Sequence, residues 1–435
     1  MADNRFVSFF KQKDVMKKVL FTLLILVLYR VGCYLPVPGI PTHEFAEAFN
    51  EANSGMGAMA VLDIFTGGAL SNLGILSLGI MPYITASIIM QLMAIVIPQV
   101  GEWRREGAEG RRNIVKWTRI LTVFIGFVNA LGYDLLFKST QYGIVYNSEV
   151  PGILNDIMVI FALMVGVVLI MWMGELITQH GIGNGMSVII FTSVISRVAP
   201  AIWESITTSG GGDATGMAIT VIVFIAIIVI IPALVFVERS QRRIPVNSTK
   251  AGASSRFAQR SERNYIAFKP SANAMYAIIF ASCFQYMPAQ IAAFLNVDWL
   301  TTFANKITTP PVSFAVMTVL ILLFMFFCNS MNYDLDHQAE DLKSRGSFIP
   351  GVRPGYETAK FLKTIVSRIT WIGTLYTLVV AVGSSMLFAT TGNPLLQAFG
   401  GTSVLIIVGV SMQIMAALEQ SLHSNDPEAV LRRLG

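Results

Sequence analysis

The chain has 435 residues, of which 54% are hydrophobic and only 13% are charged, and its formal net charge is +5. Because a soluble domain carries roughly 25% charged residues, this composition excludes a soluble protein and indicates a membrane protein with several spans. The apolar runs are each about 20 residues long, the length that a helix needs to cross a bilayer. A membrane β-barrel would show shorter, alternating segments, so we expect an all-α fold.

The first apolar run follows a basic N-terminal segment, residues 1–18, and no small-residue cleavage site comes after it. We therefore interpret this run as a retained span and not as a signal peptide. Nine more apolar runs follow along the chain. The ten predicted spans cover residues 19–35, 73–97, 118–137, 154–174, 186–203, 217–237, 273–294, 312–332, 366–388 and 401–420.

The break between the first two spans is unusual for a simple membrane anchor. Gly67 and Gly68 interrupt the apolar sequence, and the run that follows carries Pro82 and several polar side chains. A backbone at membrane depth must be hydrogen-bonded, so a broken segment survives only inside protein or against water. The pattern indicates a water-accessible cavity with a movable segment in front of it.

The lysine and arginine residues test the count of ten spans. Of the 31 in the chain, 27 fall in five regions that a ten-span chain places on one side of the membrane. The other four are Arg30, Lys138, Arg197 and Lys306. Because an excess of positive charge marks the cytoplasmic side, both termini are predicted to be cytoplasmic, including the tail of residues 421–435.

Ten spans divide into two halves of five, residues 19–203 and 204–420. An odd number of spans per half makes the second half enter the membrane from the opposite side, which is the geometry of an inverted repeat. In many transport proteins such repeats place the pathway between the halves. The halves share no evident sequence identity, so the repeat is inferred from topology alone.

Two long charged loops lie on the predicted cytoplasmic side, at about residues 238–272 and 333–365. A solvated face explains part of this charge. Two such loops on one face also favour the docking of a large partner, and their basic residues would attract RNA, acidic protein or anionic lipid.

The residue types needed for catalysis do not come together in this sequence. The four histidines have no metal-ligand spacing, and the glycine-rich stretch at 181–185 lacks the lysine of a phosphate-binding loop. The three cysteines lie in apolar segments and indicate neither a disulfide nor a metal. No span carries the central carboxylate typical of a coupled transporter. We therefore expect a passive conduit, not an enzyme, with no metal or cofactor and with energy supplied by a partner.

Six motifs, in this order and placement, resemble the SecY family over about residues 15–420. They are DIFTGGALSNLGILSLGIMPYITASIIMQL (63–92), REGAEGRR (105–112), GELITQHGIGNGMS (174–187), VERSQRRIPVN (237–247), FIPGVRPG (348–355) and FGGTSVLI (399–406). The resemblance implies ten transmembrane helices in two inverted five-helix halves around a central hourglass pore. It implies a channel that passes unfolded secretory polypeptides across the bacterial plasma membrane and releases hydrophobic segments sideways into lipid.

The resemblance also implies a plug, a short segment that closes the outer funnel, at about residues 59–72. Its members include Asp63, Phe65, Thr66, Gly67 and Gly68. The alternative for this segment is an ordinary re-entrant loop. The family's apolar constriction falls on five isoleucines. These are Ile80, Ile84, Ile190, Ile279 and Ile406.

A lateral gate between spans 2 and 7 is implied as well. Its candidate lining is Thr85, Ser87, Gln91, Ser282 and Gln285. Polar contacts across this seam would hold the gate shut. Alternatively, these side chains bond within their own helices.

Arg353 matches the family's partner-contacting arginine, and Arg242 and Arg243 belong to the other docking loop. The implied partners are SecE-like and SecG-like small membrane subunits, a SecA-like motor ATPase, the ribosome, signal sequences and nascent chains, and the lipid bilayer. Two other functions remain open from the residues alone. One is a secondary transporter for a small solute, and the other is an insertase or scaffold without a pore.

Overall fold

The computed structural model describes residues 13–41, 45, 63, 65–137, 152–209, 214–248, 265–271, 273–295, 298–309, 311–391 and 400–424. Parts of the predicted plug (59–62 and 64) and of the first docking loop (249–264) lie outside these residues. The described helices are α1 Lys13–Tyr34, α2 Met81–Val96, α3 Pro98–Arg105, α4 Ala108–Phe137, α5 Gly152–His180, α6 Gly185–Ser196, α7 Val198–Ser209, α8 Ala214–Arg239, α9 Ala274–Leu295, α10 Asp298–Thr308, α11 Val312–Asn332, α12 Leu335–Ser344, α13 Tyr356–Thr391 and α14 Gly401–Ser424.

Each predicted span overlaps one of these helices. Seven segments in the described part of the chain are long and apolar enough to cross a membrane, and α2 and the first part of α9 are shorter apolar helices. The exposed faces of these helices are rich in large apolar side chains, as expected for helices that face lipid. The fold is therefore that of an all-α membrane protein with several spans. The count of ten crossings stays a prediction.

One predicted span boundary needs correction. The second span was predicted to begin at residue 73, whereas α2 begins at Met81 and residues 67–80 form successive turns. Gly79 has φ +56°, a left-handed conformation that interrupts a helix. Pro82, which follows, sits in the first turn of α2, where the missing N–H costs nothing. The fifth predicted span agrees with the structure, where Gly185–Trp203 is long and apolar enough to cross a membrane as one segment, with Arg197 as the residue between α6 and α7.

Helix packing connects the two predicted halves at a few places. In the first half α4 packs against α2 and α5, and in the second half α11 packs against α9 and α13. The halves meet where α9 contacts α2 and α4, and where α14 contacts α6. One cluster of buried apolar side chains runs through all these contacts. The centre of the molecule is therefore the junction of the halves.

The two predicted docking loops fold together outside the helical body. Strand β1 (Arg242–Pro245) pairs antiparallel with β3 (Tyr265–Phe268), and β2 (Asn247–Ser248) pairs with β4 (Ser347–Phe348). Because β4 belongs to the second loop, the second pairing joins the loops. A separate apolar core lies beneath them. It contains Ile244, Val246, Phe268, Leu335, Ile349, Leu362, Ile365, Val366 and Ile369.

Candidate functional site

The glycine pair predicted to break the second span forms a sharp turn against α6. Gly67 and Gly68 have φ +70° and +86°, a region that glycine enters freely. A Cβ atom on Gly67 would lie 2.9 Å from Cα of Ser193 and 3.1 Å from Oγ of Ser196. The absence of a side chain thus allows both the turn and its close approach to α6.

Asp63 anchors the start of this turn segment. Its side chain is 0% exposed and forms an ion pair with Arg197, at the junction of α6 and α7. Its Oδ1 also accepts a hydrogen bond of 2.8 Å from the backbone N–H of Ser71. A buried carboxylate is tolerated only when it is paired and hydrogen-bonded, and these contacts supply both requirements.

Two side chains of α1 hold the carbonyl groups of the same turn. Arg30 donates from Nη1 to the carbonyl of Gly67 at 2.8 Å and to Oγ of Ser196 at 3.0 Å. The hydroxyl of Tyr29 bonds the carbonyl of Thr66 at 3.2 Å and Oγ of Ser193 at 2.7 Å. The turn is therefore held between α1 and α6 by charged and polar groups.

The far end of the turn segment is fixed to the end of α1. Pro36 and Gly74 form an antiparallel bridge. The N–H of Val37 donates to the carbonyl of Leu73 at 3.0 Å, and the N–H of Ile75 donates to the carbonyl of Leu35 at 2.8 Å. Residues 63–75 thus have two separate attachments, a polar one at the start and a backbone one at the end.

The five predicted ring isoleucines lie in four elements that contact one another. Ile80 and Ile84 lie at the start of α2, Ile190 in α6, Ile279 in α9 and Ile406 in α14, and all five are buried in the central apolar cluster. Helix α9 contacts both α2 and α14, and α14 contacts α6. The structure therefore brings the five residues to the junction of the two halves.

A cavity of about 720 Å³ lies on one side of this junction. Ile84, Ile190 and Ile279 line it, together with Phe280. The rest of its lining mixes apolar side chains with polar ones, and the polar ones include Gln91, Arg111, Thr118, Asn184, Ser187 and Asn273. The turn segment lies close to the ring. A Cβ atom added to Gly79, the residue before Ile80, would lie 2.9 Å from Cγ2 of Thr66.

Four of the predicted gate side chains form hydrogen bonds within their own halves. Thr85 donates to the carbonyl of Met81, Gln91 donates to Ser87, and Gln285 donates to Ser313 of α11. All three bonds stay within one half, so the contribution of these side chains is local. A sulfur–sulfur contact joins the two helices instead, with Sγ of Cys283 3.7 Å from Sδ of Met81. Ser282 is buried in α9.

A second cavity, of about 1110 Å³, lies between the halves beside this seam. Ala94, Ile95 and Glu102 line it from the first half, and Phe326, Asn329 and Asp336 from the second. The buried side chain of Asn329 bonds Asn273 and Thr370 and so ties the start of α9 to α11 and α13. The second-half side of the seam is therefore one firmly connected group of helices.

The two docking loops, joined by the pairing of β2 with β4, form what we call the loop unit. The predicted docking arginines lie on this unit and are exposed. Arg242 and Arg243 are in β1, and the guanidinium of Arg243 lies 4.8 Å from the ring centroid of Tyr265. Arg353 lines a shallow cavity of about 510 Å³ with Glu357, Lys360 and Phe361. In the described part of the chain no group of three or more His, Cys, Asp or Glu is placed to hold a metal ion.

Sequence reasoning missed the side chains that hold the turn segment. Arg30 and Arg197 were recognised only as charges within or at the ends of spans, and Tyr29 was not recognised at all. A signal was present, because both arginines lie at the ends of spans predicted to reach the side that is poor in positive charge. A charge in such a position calls for a buried partner, and Asp63 is that partner for Arg197.

Comparison with known proteins gives the class first. The fold is that of the protein-conducting channels. A solved structure described as "The structure of a protein conducting channel" has a TM-score of 0.64 at 17% identity, covering 94% of this chain and 93% of that one. Sec61 from a canine ribosome–channel complex has a TM-score of 0.61 at 17% identity, with the same coverage.

The sequence then gives the family. Residues 74–415 match the SecY family description. The protein translocase subunit SecY of Streptomyces scabiei is 36% identical over 98% of this chain and 99% of its own length. The SecY subunit of Bacillus subtilis (strain 168) is 34% identical over 95% of this chain and 96% of its own length. The chain belongs to the SecY family.

Proposed function

We propose that this chain is the channel-forming subunit of a protein translocase, through which unfolded secretory polypeptides cross the membrane. The observation that carries the proposal is the set of five buried isoleucines at the junction of the halves, with a cavity of mixed polar and apolar lining on one side and a polar-anchored turn segment nearby. A narrow apolar constriction disfavours water and so limits the leak of ions. Flexible aliphatic side chains also adapt to an extended chain of varied sequence.

The seam between α2 and α9 is the proposed sideways exit. Gln91 and Gln285 bond within their own halves, so among the described residues parting the helices breaks apolar contacts such as that of Met81 with Cys283. An apolar segment that moves into lipid gains about 25 cal/mol per Å² of buried surface. A hydrophobic segment therefore favours the parted state by binding it better than the closed state.

Partners supply the energy, in keeping with a sequence that shows neither the lysine of a phosphate-binding loop at 181–185 nor a central carboxylate in a predicted span. The relatives are named protein translocase subunits, and two structural neighbours are channels in ribosome complexes. We place a ribosome or a SecA-like motor ATPase on the loop unit that carries Arg242, Arg243 and Arg353, with SecE-like and SecG-like subunits beside the helices. The location is the bacterial plasma membrane with both termini in the cytoplasm.

The isoleucine ring gives a direct test of the channel function. Ile84→Ala removes buried apolar atoms from the closed state, at a cost of about 2–5 kcal/mol for such a truncation. If the closed state of the ring loses this free energy, the open state becomes more populated. The iodide leak of proteoliposomes that contain the purified complex then rises at least about tenfold. The matched control is Ile225→Ala, the same change on the exposed face of α8.

An unchanged leak for Ile84→Ala, with the protein folded and reconstituted, would contradict a central pore. That result would favour an insertase or a scaffold. A small-solute transporter would instead show altered uptake of its solute without a general leak.

A further inference from the structure

The polar anchor of the turn segment sits on the helix that carries one of the ring isoleucines. Ile190, Ser193 and Arg197 are spaced by three and four residues, so they follow one face of α6 and its C-terminal end. Ser193 contacts Tyr29, and Arg197 pairs with Asp63. A shift of α6 that widens the ring therefore also moves the groups that hold the turn segment.

We infer that Asp63, Arg197 and Arg30 form a latch that holds residues 63–72 in the resting position, and that α6 couples release of this latch to widening of the isoleucine ring. The inference rests on the proposed channel function and extends it. The latch is the polar attachment at the start of the segment. The backbone bridge at residues 73–75 is the fixed end about which the segment turns.

The physical case depends on the difference between the two attachments. The bridge consists of backbone hydrogen bonds to the end of α1, which a movement of α6 leaves intact. The latch has its carboxylate and its carbonyl groups on the turn segment, and its partners on α1 and at the end of α6. The Asp63 side chain is fully buried, whereas that of Arg197 is 32% exposed. Water therefore reaches the arginine as soon as the pair separates.

Removing one partner of such a pair leaves the other charge without compensation and weakens the closed state. Arg30 adds to this effect because it holds the carbonyl of Gly67 and the hydroxyl of Ser196 together. The two arginines thus act on neighbouring points of the same turn.

Cys33 is a native reporter for movement of the segment. It is 1% exposed, and its Sγ lies 3.9 Å from the carbonyl oxygen of Thr66. Displacement of residues 63–72 uncovers this thiol. Amide hydrogen exchange in α13, which carries none of the ring isoleucines, reports general loosening of the fold. Cys328 is unsuitable for this purpose, because it lines the cavity beside the ring.

The experiment is a double-mutant cycle read by thiol labelling. The purified complex in lipid nanodiscs, with no substrate present, is treated with a sulfonated maleimide, and labelling of each cysteine is followed by peptide mass spectrometry. The proteins are the parent chain, Asp63→Asn, Arg197→Gln and the double variant. The control is Arg119→Gln, which breaks the 2.6 Å ion pair of Arg119 with Glu175 between α4 and α5.

We expect each single variant to label Cys33 at least about tenfold faster than the parent, which corresponds to about 1.4 kcal/mol. The double variant should be no faster than the faster single variant, because the two residues act through one interaction. Hydrogen exchange in α13 should stay at the parent rate in all variants, and the Arg119→Gln control should label Cys33 at the parent rate.

Three results would overturn the latch: unchanged Cys33 labelling, single effects that multiply in the double variant, or hydrogen exchange in α13 that rises together with the labelling of Cys33. The labelling needs no transport. Expected labelling together with an unchanged leak in Ile84→Ala would therefore reject the channel function and keep the latch, and the reverse pattern would reject the latch alone.

Discussion

Arg353 stands at the tip of a turn that the backbone holds in place. Gly351 and Gly355 on either side have φ +85° and +101°, which favour glycine. The carbonyl of Arg353 accepts a 2.8 Å hydrogen bond from Oγ1 of Thr358 at the start of α13. The side chain is therefore presented on a fixed backbone, where a partner pays little to order it.

Charge reversal at this residue tests the docking proposal. Arg353→Glu should weaken binding of a ribosome or motor ATPase at least about tenfold, because a rim charge that repels its partner disfavours the complex. The measurement is co-sedimentation of the reconstituted complex with ribosomes, or binding of the motor by fluorescence. Lys306→Glu, on the exposed side of α10 at the predicted outer face, is the control. Equal binding by both variants would contradict docking at Arg353.

The sequence predicts the positions of some important side chains and not the contacts of others. The ring isoleucines and Gly67 are found through motifs, and the structure buries the former and gives the latter a positive φ. Arg197 and Tyr29 are not found, since their role depends on α1 and α6 meeting around a turn that is distant in sequence. For Gln285 and Ser87 the sequence does not decide between hydrogen bonds across the seam and hydrogen bonds within one helix, because a serine or glutamine in a helix has partners of both kinds.

At the scale of helix pairs, the seam between α2 and α9 is the contact that opens in the proposed sideways release. On the second-half side, Phe280 of α9 makes an edge-to-face contact and Phe284 a tilted ring contact with Phe324 of α11. Gln285 bonds Ser313 between the same two helices. Because α9 is tied to α11 in this way, we expect the two to move together away from α2.

A reversible bridge across the seam tests this expectation. In Met81→Cys the new thiol faces native Cys283, whose sulfur is 3.7 Å from that of Met81 in the parent. A short, cleavable bifunctional thiol reagent should then link α2 to α9 and block insertion of hydrophobic segments in a reconstituted assay. Reduction should restore insertion. The control is Met81→Ser with the same reagent, and undiminished insertion through the bridged protein would contradict a lateral exit at this seam.

Helices as elements are predicted well where the apolar run is long, as in α5 and α8. The start of α2 is predicted too early because residues 73–80 are as apolar as the helix that follows. Composition cannot separate a helix from a series of turns buried in protein. Gly74 and Gly79 are the local signals of turns. The bridge of Gly74 to Pro36 is the long-range contact that favours turns over a helix.

The whole molecule is organised around the meeting of its two halves. The contacts of α9 with α2 and of α14 with α6 place the isoleucines at the centre. The pairing of β2 with β4 joins the two charged loops into one unit. The sequence predicts both loops and both halves, but not the strand pairing, since β2 and β4 are two-residue strands without a pattern of their own. The inverted relation of the halves stays a prediction from topology.

The measurement that tests the central claim most directly is a crosslink between the ring and a chain in transit. Cysteine is placed at Ile84, with Cys33, Cys283 and Cys328 replaced, and a second cysteine is placed in a stalled secretory polypeptide. We predict disulfide formation at Ile84 that depends on the motor ATPase or the ribosome, and none at an exposed control such as Ile225. Crosslinks only at Ile225 and similar lipid-facing positions would contradict a translocation pathway through the isoleucine ring.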